Sequence, residues 1–357
     1  MAEMTPYQED IKELYDRGLN LDALQGRTLL VAGATGFVGA CVVDIVMADP
    51  HRNLRVFAAG RNRRRAEERF AAYAGDPRFS FVEMDVTRPV TGETPYDYII
   101  DAASNASPNF FKQQPVEVIK ANIDGVGNLL DYGRGHSLRK MVYVSSGEIY
   151  GEGDGHAFTE TSSGYVDCAT PRACYPSSKR AAETLCIAYA TEYGTPVTIA
   201  RLCHTYGPGF TESDNRVFAQ FFRNVLRSED IVLKSRGEQY RSWLYVVDSA
   251  HALLHLLLHG ESAQAYNVAD AKGNITIRQL AEQVAVWAQR KVVFDIPVTT
   301  DQGDTTPVTR ATFDTSKIER TGWQPLFDIS TGLSHSLETL KKNRSTRRYQ
   351  SQRLNMN

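Results

Sequence analysis

Residues 27–48 read RTLLVAGATGFVGACVVDIVMA, and this stretch decides the fold. Thr28–Ala32 is a short unbroken apolar run, the pattern of a strand buried on both faces of a parallel sheet. The residues after the glycines are apolar at helical spacing, so the order is strand, turn, helix. Gly33, Gly36 and Gly39 punctuate the turn. Gly33 permits the tight reversal, Gly36 lets the backbone approach a pyrophosphate, and Gly39 lets helix pack on strand. The free N–H groups and positive dipole end of the helix then face the phosphates. A glycine triplet alone is weak, but this one has the strand–turn–helix setting that a dinucleotide site requires. Thr35, Phe37 and Val38 complete the candidate cofactor loop.

Outward from the loop the alternation continues. LRVFAAG (54–60), a helix over 64–74, FSFVEMD (79–85), YDYIIDAAS (96–104), a helix over 115–133, KMVYVSS (140–146), a helix over 177–193 and PVTIARL (196–202) follow in turn. Strands alternating with helices predict an α/β fold, a Rossmann-like doubly wound parallel sheet with right-handed crossovers. Residues 26–205 read as this dinucleotide-binding domain. After about residue 205 the alternation loosens, so 206–340 are expected to form mainly a smaller C-terminal substrate-binding lobe, with some chain returning to the core. It would cover the C-terminal edge of the sheet, where open α/β sheets bind ligands. Residues 1–25 are expected as a helical extension, with Ile11, Leu14 and Tyr15 at helical spacing. The basic run KKNRSTRRYQSQRLNMN (341–357) is expected as a flexible tail.

Bulk properties narrow the function classes. The chain has 357 residues, 42% apolar and 23% charged, with a net charge of −2. That balance gives no global pull toward nucleic acid or an anionic membrane. No apolar run reaches the length of a membrane span, and the polar, acidic start does not read as a signal peptide. Cys41, Cys168, Cys174, Cys186 and Cys203 form no C-x-x-C pair, and no histidine cluster has metal-ligand spacing, so no metal is expected. A sparse, odd set of cysteines fits a reducing compartment, and the expected location is cytoplasmic.

The second strand ends AAGRNRRR (58–65). A carboxylate there would accept hydrogen bonds from an adenosine ribose, whereas here Gly60 is followed by Arg61 and Arg63–Arg65. A guanidinium suits a 2′-phosphate, so NAD(P) is the expected cofactor, with NADP favoured over NAD. In CYPSSKR (174–180), Tyr175 lies four residues before Lys179. The spacing alone proves little in a chain with 17 tyrosines. Ser146, which ends the fifth strand, precedes Tyr175 by 29 residues. In a doubly wound sheet the end of strand five and the start of the next helix meet at the cofactor.

The G-x-x-G-x-x-G spacing of GATGFVG resembles the short-chain dehydrogenase/reductase superfamily, in its extended, nucleotide-sugar-modifying branch. ASNASPNFFKQQP, SSGEIYG, PRACYPSSKRAAETLC, IARLCHTYGP, NRVFAQF and GEQYRSWLYVVD resemble, in order, the UDP-glucuronate decarboxylases and their close relatives. The resemblance covers about residues 27–340. It implies that Tyr175, Lys179 and Ser146 surround one sugar hydroxyl. A free tyrosine is a poor base at neutral pH, and a nearby ammonium favours its phenolate. Lys179 would supply that charge and hold the nicotinamide ribose; Tyr175 would remove the hydroxyl proton while Ser146 bonds the oxygen.

The resemblance further implies that Asp85 and Val86 lie at the adenine and that Ala102, Ala103 and Ser104 lie at the nicotinamide ribose. Glu148 is implied at the sugar as a base or orienting group. Ser107, Arg172, His204, Arg216 and Arg241 are implied as substrate-binding, with Arg241 on the nucleotide diphosphate. The implied reaction oxidises a UDP-sugar at C4; a C6 carboxylate β to the new ketone then leaves as CO2, giving a UDP-4-keto-pentose or, after reduction, UDP-xylose. A 4-epimerase, an NADPH-dependent 4-keto-sugar reductase and a non-catalytic NADP-sensing protein are the alternatives. A homodimer through the Tyr–Lys helix and its neighbour is implied as well. Three positions depart from the decarboxylase pattern. Gly147 replaces the second serine of S-T-S-E-x-Y-G, His204 replaces an asparagine, and Phe111 replaces a tyrosine. Gly147 also argues against a 4,6-dehydratase, which carries a proton-donating aspartate there.

Overall fold

The computed structural model describes residues 3–51, 53–211, 214–296 and 310–354. The opening stretch folds as strand, turn and helix: β1 (Thr28–Ala32), buried at every residue, and α2 (Phe37–Met47), which starts directly after Gly36. Before them α1 (Pro6–Asp16) is capped by Thr5. The core continues through β2 (Arg55–Gly60), α3 (Arg63–Arg69), β3 (Phe79–Glu83), β4 (Tyr98–Asp101), α4 (Pro108–Gln113), α5 (Pro115–Gly135), β5 (Lys140–Ser146), α6 (Cys174–Tyr193) and β6 (Val197–Leu202). Next come β7 (His204–Tyr206), α7 (Val217–Leu226), β8 (Ile231–Leu233), β9 (Tyr240–Tyr245), α8 (Val246–His259) and β10 (Ala265–Val268). β11 (Asn274–Thr276), α9 (Ile277–Ala288), β12 (Val292–Phe294), β13 (Arg310–Ala311), α10 (Ser316–Glu319) and α11 (Ile329–Leu354) complete the order.

Among the described residues, seven parallel strands form the central sheet in the order β10-β6-β5-β4-β1-β2-β3. The winding reverses between β1 and β4, so the strand ends at Ala32 and Asp101, which are register partners, flank the switch point where α/β sheets bind ligands. Ser146 ends β5 on the same edge, opposite Leu202. β9 centres a small sheet with β7, β11 and β13, and β8 pairs with β12. These small sheets lie outside the central one, which β10 rejoins beside β6.

Boundaries differ from the expectations in instructive ways. α6 begins at Cys174, three residues before the predicted start. Pro176 falls in the first turn, where its missing N–H has no helical partner to lose. α3 stops at Arg69 and a 3-10 turn (Ala71–Tyr73) replaces the rest of the expected helix. There Phe70 turns inward to pack against Phe79. The segment 341–357, expected as a flexible tail, instead extends α11 as helix to Leu354, with 355–357 outside the described residues. No glycine or proline interrupts the run after Gly332. Lys342 donates to the Met4 carbonyl (3.2 Å) and Arg344 to that of Leu226. In α1, Ile11 and Leu14 are buried, and the buried Asp10 accepts from Tyr245 Oη (2.9 Å) and pairs with His335 Nδ1 (2.8 Å) of α11. Among the described residues no helix is long and apolar enough to cross a membrane.

Candidate active site

Backbone crowding defines the glycine loop. Gly33 has φ +72°, and a Cβ on it would lie 2.6 Å from the Ala102 carbonyl oxygen. A Cβ on Gly39 would lie 2.6 Å from the Gly33 oxygen. Side chains are thus excluded where β1, the head of α2 and the chain leaving β4 converge. This cradle of backbone groups fits a dinucleotide's pyrophosphate. Ala102 N–H donates to Ala32 O (3.0 Å) and Ala103 N–H to Asp101 Oδ1 (3.0 Å). The buried Ser104 Oγ has no protein partner, as a group reserved for a ligand would.

The residues expected at the adenosine end make other contacts. Asp85 folds back to accept from Thr87 N–H (3.1 Å) and Oγ1 (2.8 Å), and the Val86 carbonyl accepts from Asn128 Nδ2 (2.7 Å). Of the arginines after β2, Arg63 pairs with Glu83 and Arg64 with Glu68. Arg61 is exposed beside Gly60, and Arg65 Nη2 donates to Thr35 O (2.9 Å) in the glycine loop. Asn128 had no motif to single it out.

Tyr175 and Lys179 lie one turn apart on the buried face of α6. Lys179 Nζ donates to Val144 O (2.7 Å), sits 4.6 Å from the Tyr143 ring centre and 5.9 Å from that of Tyr175. Burial pushes the Lys179 pKa down to about 8, opposed by the charges of Asp101 and Glu183. Asp101 in turn is pushed up to about 6 by burial, against the pull of Lys179. Tyr175 is raised well above its ordinary value, first by burial and then by Glu148; a hydrogen bond with Ser146 and the charges of Arg216 and Arg172 pull the other way. The phenol is therefore neutral here, and burial outweighs the phenolate-favouring effect expected of a nearby ammonium. Behind the pair, Arg201 forks onto buried Glu183 (2.7 Å), which also accepts from Ser145 Oγ (2.5 Å).

The remaining candidates gather above Tyr175. Glu148 and Arg172 form an ion pair at 2.7 Å. Arg172 lies 4.8 Å over the Phe111 ring, which stacks on Tyr175 at 4.8 Å. Phe111 thus contributes a stacking surface between guanidinium and phenol. Arg241 feels the charges of both Glu148 and Arg172, which places it near that ion pair. Its Nη1 donates to His204 Nε2 (2.8 Å). Burial, then Arg241 and Arg216, drive the His204 pKa well down, so the ring is neutral and carries its proton on Nδ1. That Nδ1, Arg241 Nε and Arg172 Nη1 are buried without protein partners.

Arg216, whose charge acts on Tyr175 and His204, has its own guanidinium engaged elsewhere. Asp214 holds it at 2.5 Å, and it covers Phe37 (4.9 Å) and Phe218 (4.8 Å). Ser107 Oγ donates to Asn215 Oδ1 (2.6 Å), tying the chain after β4 to the segment before α7. A Cβ on Gly147 would fall against the Phe313 ring, 2.8 Å from Cε1. Asp101, Glu183, Asp214, Asn215 and Phe313 escaped sequence reasoning, since each matters only through partners distant in the chain.

Comparison with known proteins agrees with this geometry. Residues 29–269 match the NAD dependent epimerase/dehydratase family. UDP-glucuronic acid decarboxylase 6 of Arabidopsis thaliana is 32% identical over 305 residues, 85% of this chain and 86% of that protein. UDP-glucuronic acid decarboxylase 1 of Danio rerio is 29% identical over 344 residues, 93% of this chain and 79% of that protein. Among solved structures, the UDP-glucose 4-epimerase of Thermotoga maritima superposes with a TM-score of 0.77 at 24% identity, covering 88% of this chain and 99% of that one. The UDP-glucuronic acid 4-epimerase of Bacillus cereus gives 0.75 at 18%, covering 88% and 99%. At such identities these two support the shared fold. With more than half its length matched, the chain belongs to the NAD dependent epimerase/dehydratase family.

Proposed function

We propose that the protein is a UDP-glucuronate decarboxylase. The observation that carries this is the convergence of Ser146, Tyr175 and Lys179 with the Glu148–Arg172 pair at the sheet edge beside the glycine loop. The curated UDP-glucuronic acid decarboxylases that resemble most of the chain support the same substrate. When bound, the nicotinamide cofactor supplies the hydride acceptor for C4. Tyr175 Oη receives the C4 hydroxyl proton, with Ser146 bonded to the same oxygen. The Lys179 ammonium, held by Val144 O beneath the phenol, favours the charged form that the proton transfer needs.

Once C4 is a ketone, the C5–carboxylate bond breaks, CO2 leaves and the electron pair passes into an enolate across C4 and C5. Ser146 and Tyr175 hold the enolate oxygen, and a proton returned to C5 completes the 4-keto-pentose. Arg172 Nη1, Arg241 Nε and His204 Nδ1 are three donors suited to the substrate's anionic oxygens. Glu148 orients Arg172. Incubation with UDP-glucuronate and cofactor, followed by mass spectrometry, tests the reading. The expected product has lost the mass of CO2 where hydride returns to C4 to give UDP-xylose, and the mass of CO2 plus two hydrogens where the 4-keto-pentose leaves with the hydride still on the cofactor. An unchanged mass with a new sugar would establish a 4-epimerase instead.

Finer assignments belong to the same proposal. Arg61 and Arg65 beside the end of β2 favour NADP over NAD; tighter NAD binding in a titration would overturn that. The exposed apolar residues Val116 and Ile119 of α5 and Ile187 and Tyr193 of α6 fit a homodimer through these two helices, which sedimentation tests. The described cysteines, all free thiols, fit a cytoplasmic location.

A further inference from the structure

In the proposed mechanism Lys179 acts as an ammonium, and burial works against that charge. The surroundings of its Nζ offset the cost. One of the three ammonium donors goes to Val144 O (2.7 Å). Nζ also stands 4.6 Å over the centre of the Tyr143 ring, nearer than the 5.9 Å to the Tyr175 ring. Tyr143 is buried in a cluster that includes Ala182 and Cys186 of α6, and its Oη has no protein partner. Asp101 of β4 is the register partner of Tyr143 on β5, so carboxylate and ring rise from the same face of the sheet.

We propose that Tyr143 is a positioning residue: its π face is the platform on which the Lys179 ammonium rests, keeping it charged and in place beside Tyr175. The proposal rests on the decarboxylase reading above for the part Lys179 plays in turnover. An aromatic face is electrostatically negative and holds a cation most strongly where water is excluded. The other titratable groups around Nζ are Asp101 of β4 and Glu183, Cys186 and Tyr175 of α6. Burial keeps the Cys186 thiol and the Tyr143 phenol neutral, and Arg201 engages the Glu183 carboxylate. A further carboxylate in the place of Tyr143 would hold the ammonium but would also oppose the negative charge forming on Tyr175. The neutral ring attracts Lys179 and leaves the Tyr175 phenol free to ionise.

The test uses cofactor-loaded wild type, Tyr143→Phe, and proteins carrying singly or triply fluorinated phenylalanine at position 143. Fluorine drains the face of the ring while keeping its shape, so the core stays filled. NMR of 13C-labelled lysine, assigned with Lys179→Met, reads the Lys179 titration without turnover. In Tyr143→Phe that titration should stay where it is in wild type, since the lost hydroxyl bonds nothing in the protein. Successive fluorination should lower it, by about 0.5–1 pH unit for the triply fluorinated ring, and the alkaline limb of kcat/KM should follow. A titration unmoved across the fluorinated series overturns the inference. So does a shift in Tyr143→Phe as large as in the fluorinated proteins, which would assign the effect to the hydroxyl. A moving titration in a protein that releases no CO2 from UDP-glucuronate would refute the decarboxylase reading and leave the platform standing. CO2 release with an unmoved titration would do the reverse.

Discussion

In the proposed mechanism Tyr175 and Lys179, both buried, divide one task between them. Replacing Tyr175 by phenylalanine removes the proton acceptor but keeps the ring stacked on Phe111. C4 oxidation is expected to fall by about 10²–10⁴-fold, with the Kd for cofactor and UDP-sugar nearly unchanged. In that mechanism Lys179 would work as an ammonium, and burial brings its pKa down to about 8. Its charge is lost as pH rises through that value, so kcat/KM should decline along an alkaline limb near pH 8. Asp101 raises the Lys179 pKa, so in Asp101→Asn the limb should move to lower pH. A pH–rate profile with an unmoved limb would remove Asp101 from this role. Sequence made the tyrosine and lysine legible because they share a helix face four residues apart. Asp101 was invisible there: an aspartate ending a strand carries no sign of a charge brought to it from α6.

At the scale of elements, α6, which bears Tyr175 and Lys179, is fastened to the sheet by a buried ion pair. Glu183 on α6 receives both the Arg201 fork from β6 and the Ser145 hydroxyl from β5. Arg201 also donates to Tyr150 Oη (3.0 Å), whose hydroxyl reaches Asn267 of β10 (2.5 Å). Arg201→Ala would leave Glu183 buried without its cation, and denaturant unfolding should show a loss of about 3–5 kcal/mol. The core strands were readable because each is an apolar run long enough to declare itself. β7, β11 and β13 were not, since two or three residues carry no period. Their pairing depends on β9, whose register the local sequence does not encode.

In the whole molecule, the segment around α7, part of the proposed smaller lobe, rests on the glycine loop proposed to bind the dinucleotide. The expectation of a lobe over the sheet edge came from the loss of alternation after residue 205. Which residues touch across the gap depended on tertiary packing alone. Arg216, fixed by Asp214, lies on the ring of Phe37 at the head of α2, and Phe218 packs beside it with ring centres 5.6 Å apart. In the proposed binding mode a dinucleotide would lie under that cover and would leave only once Arg216 and Phe218 give way. The consequence is temporal: residence of the cofactor should outlast many turnovers, so that hydride taken in one half of the cycle is still present for the other. Arg216→Ala should shorten that residence, and a stopped-flow chase of bound NADPH fluorescence reads it directly. Release no faster than in wild type would mean the lobe does not govern exit.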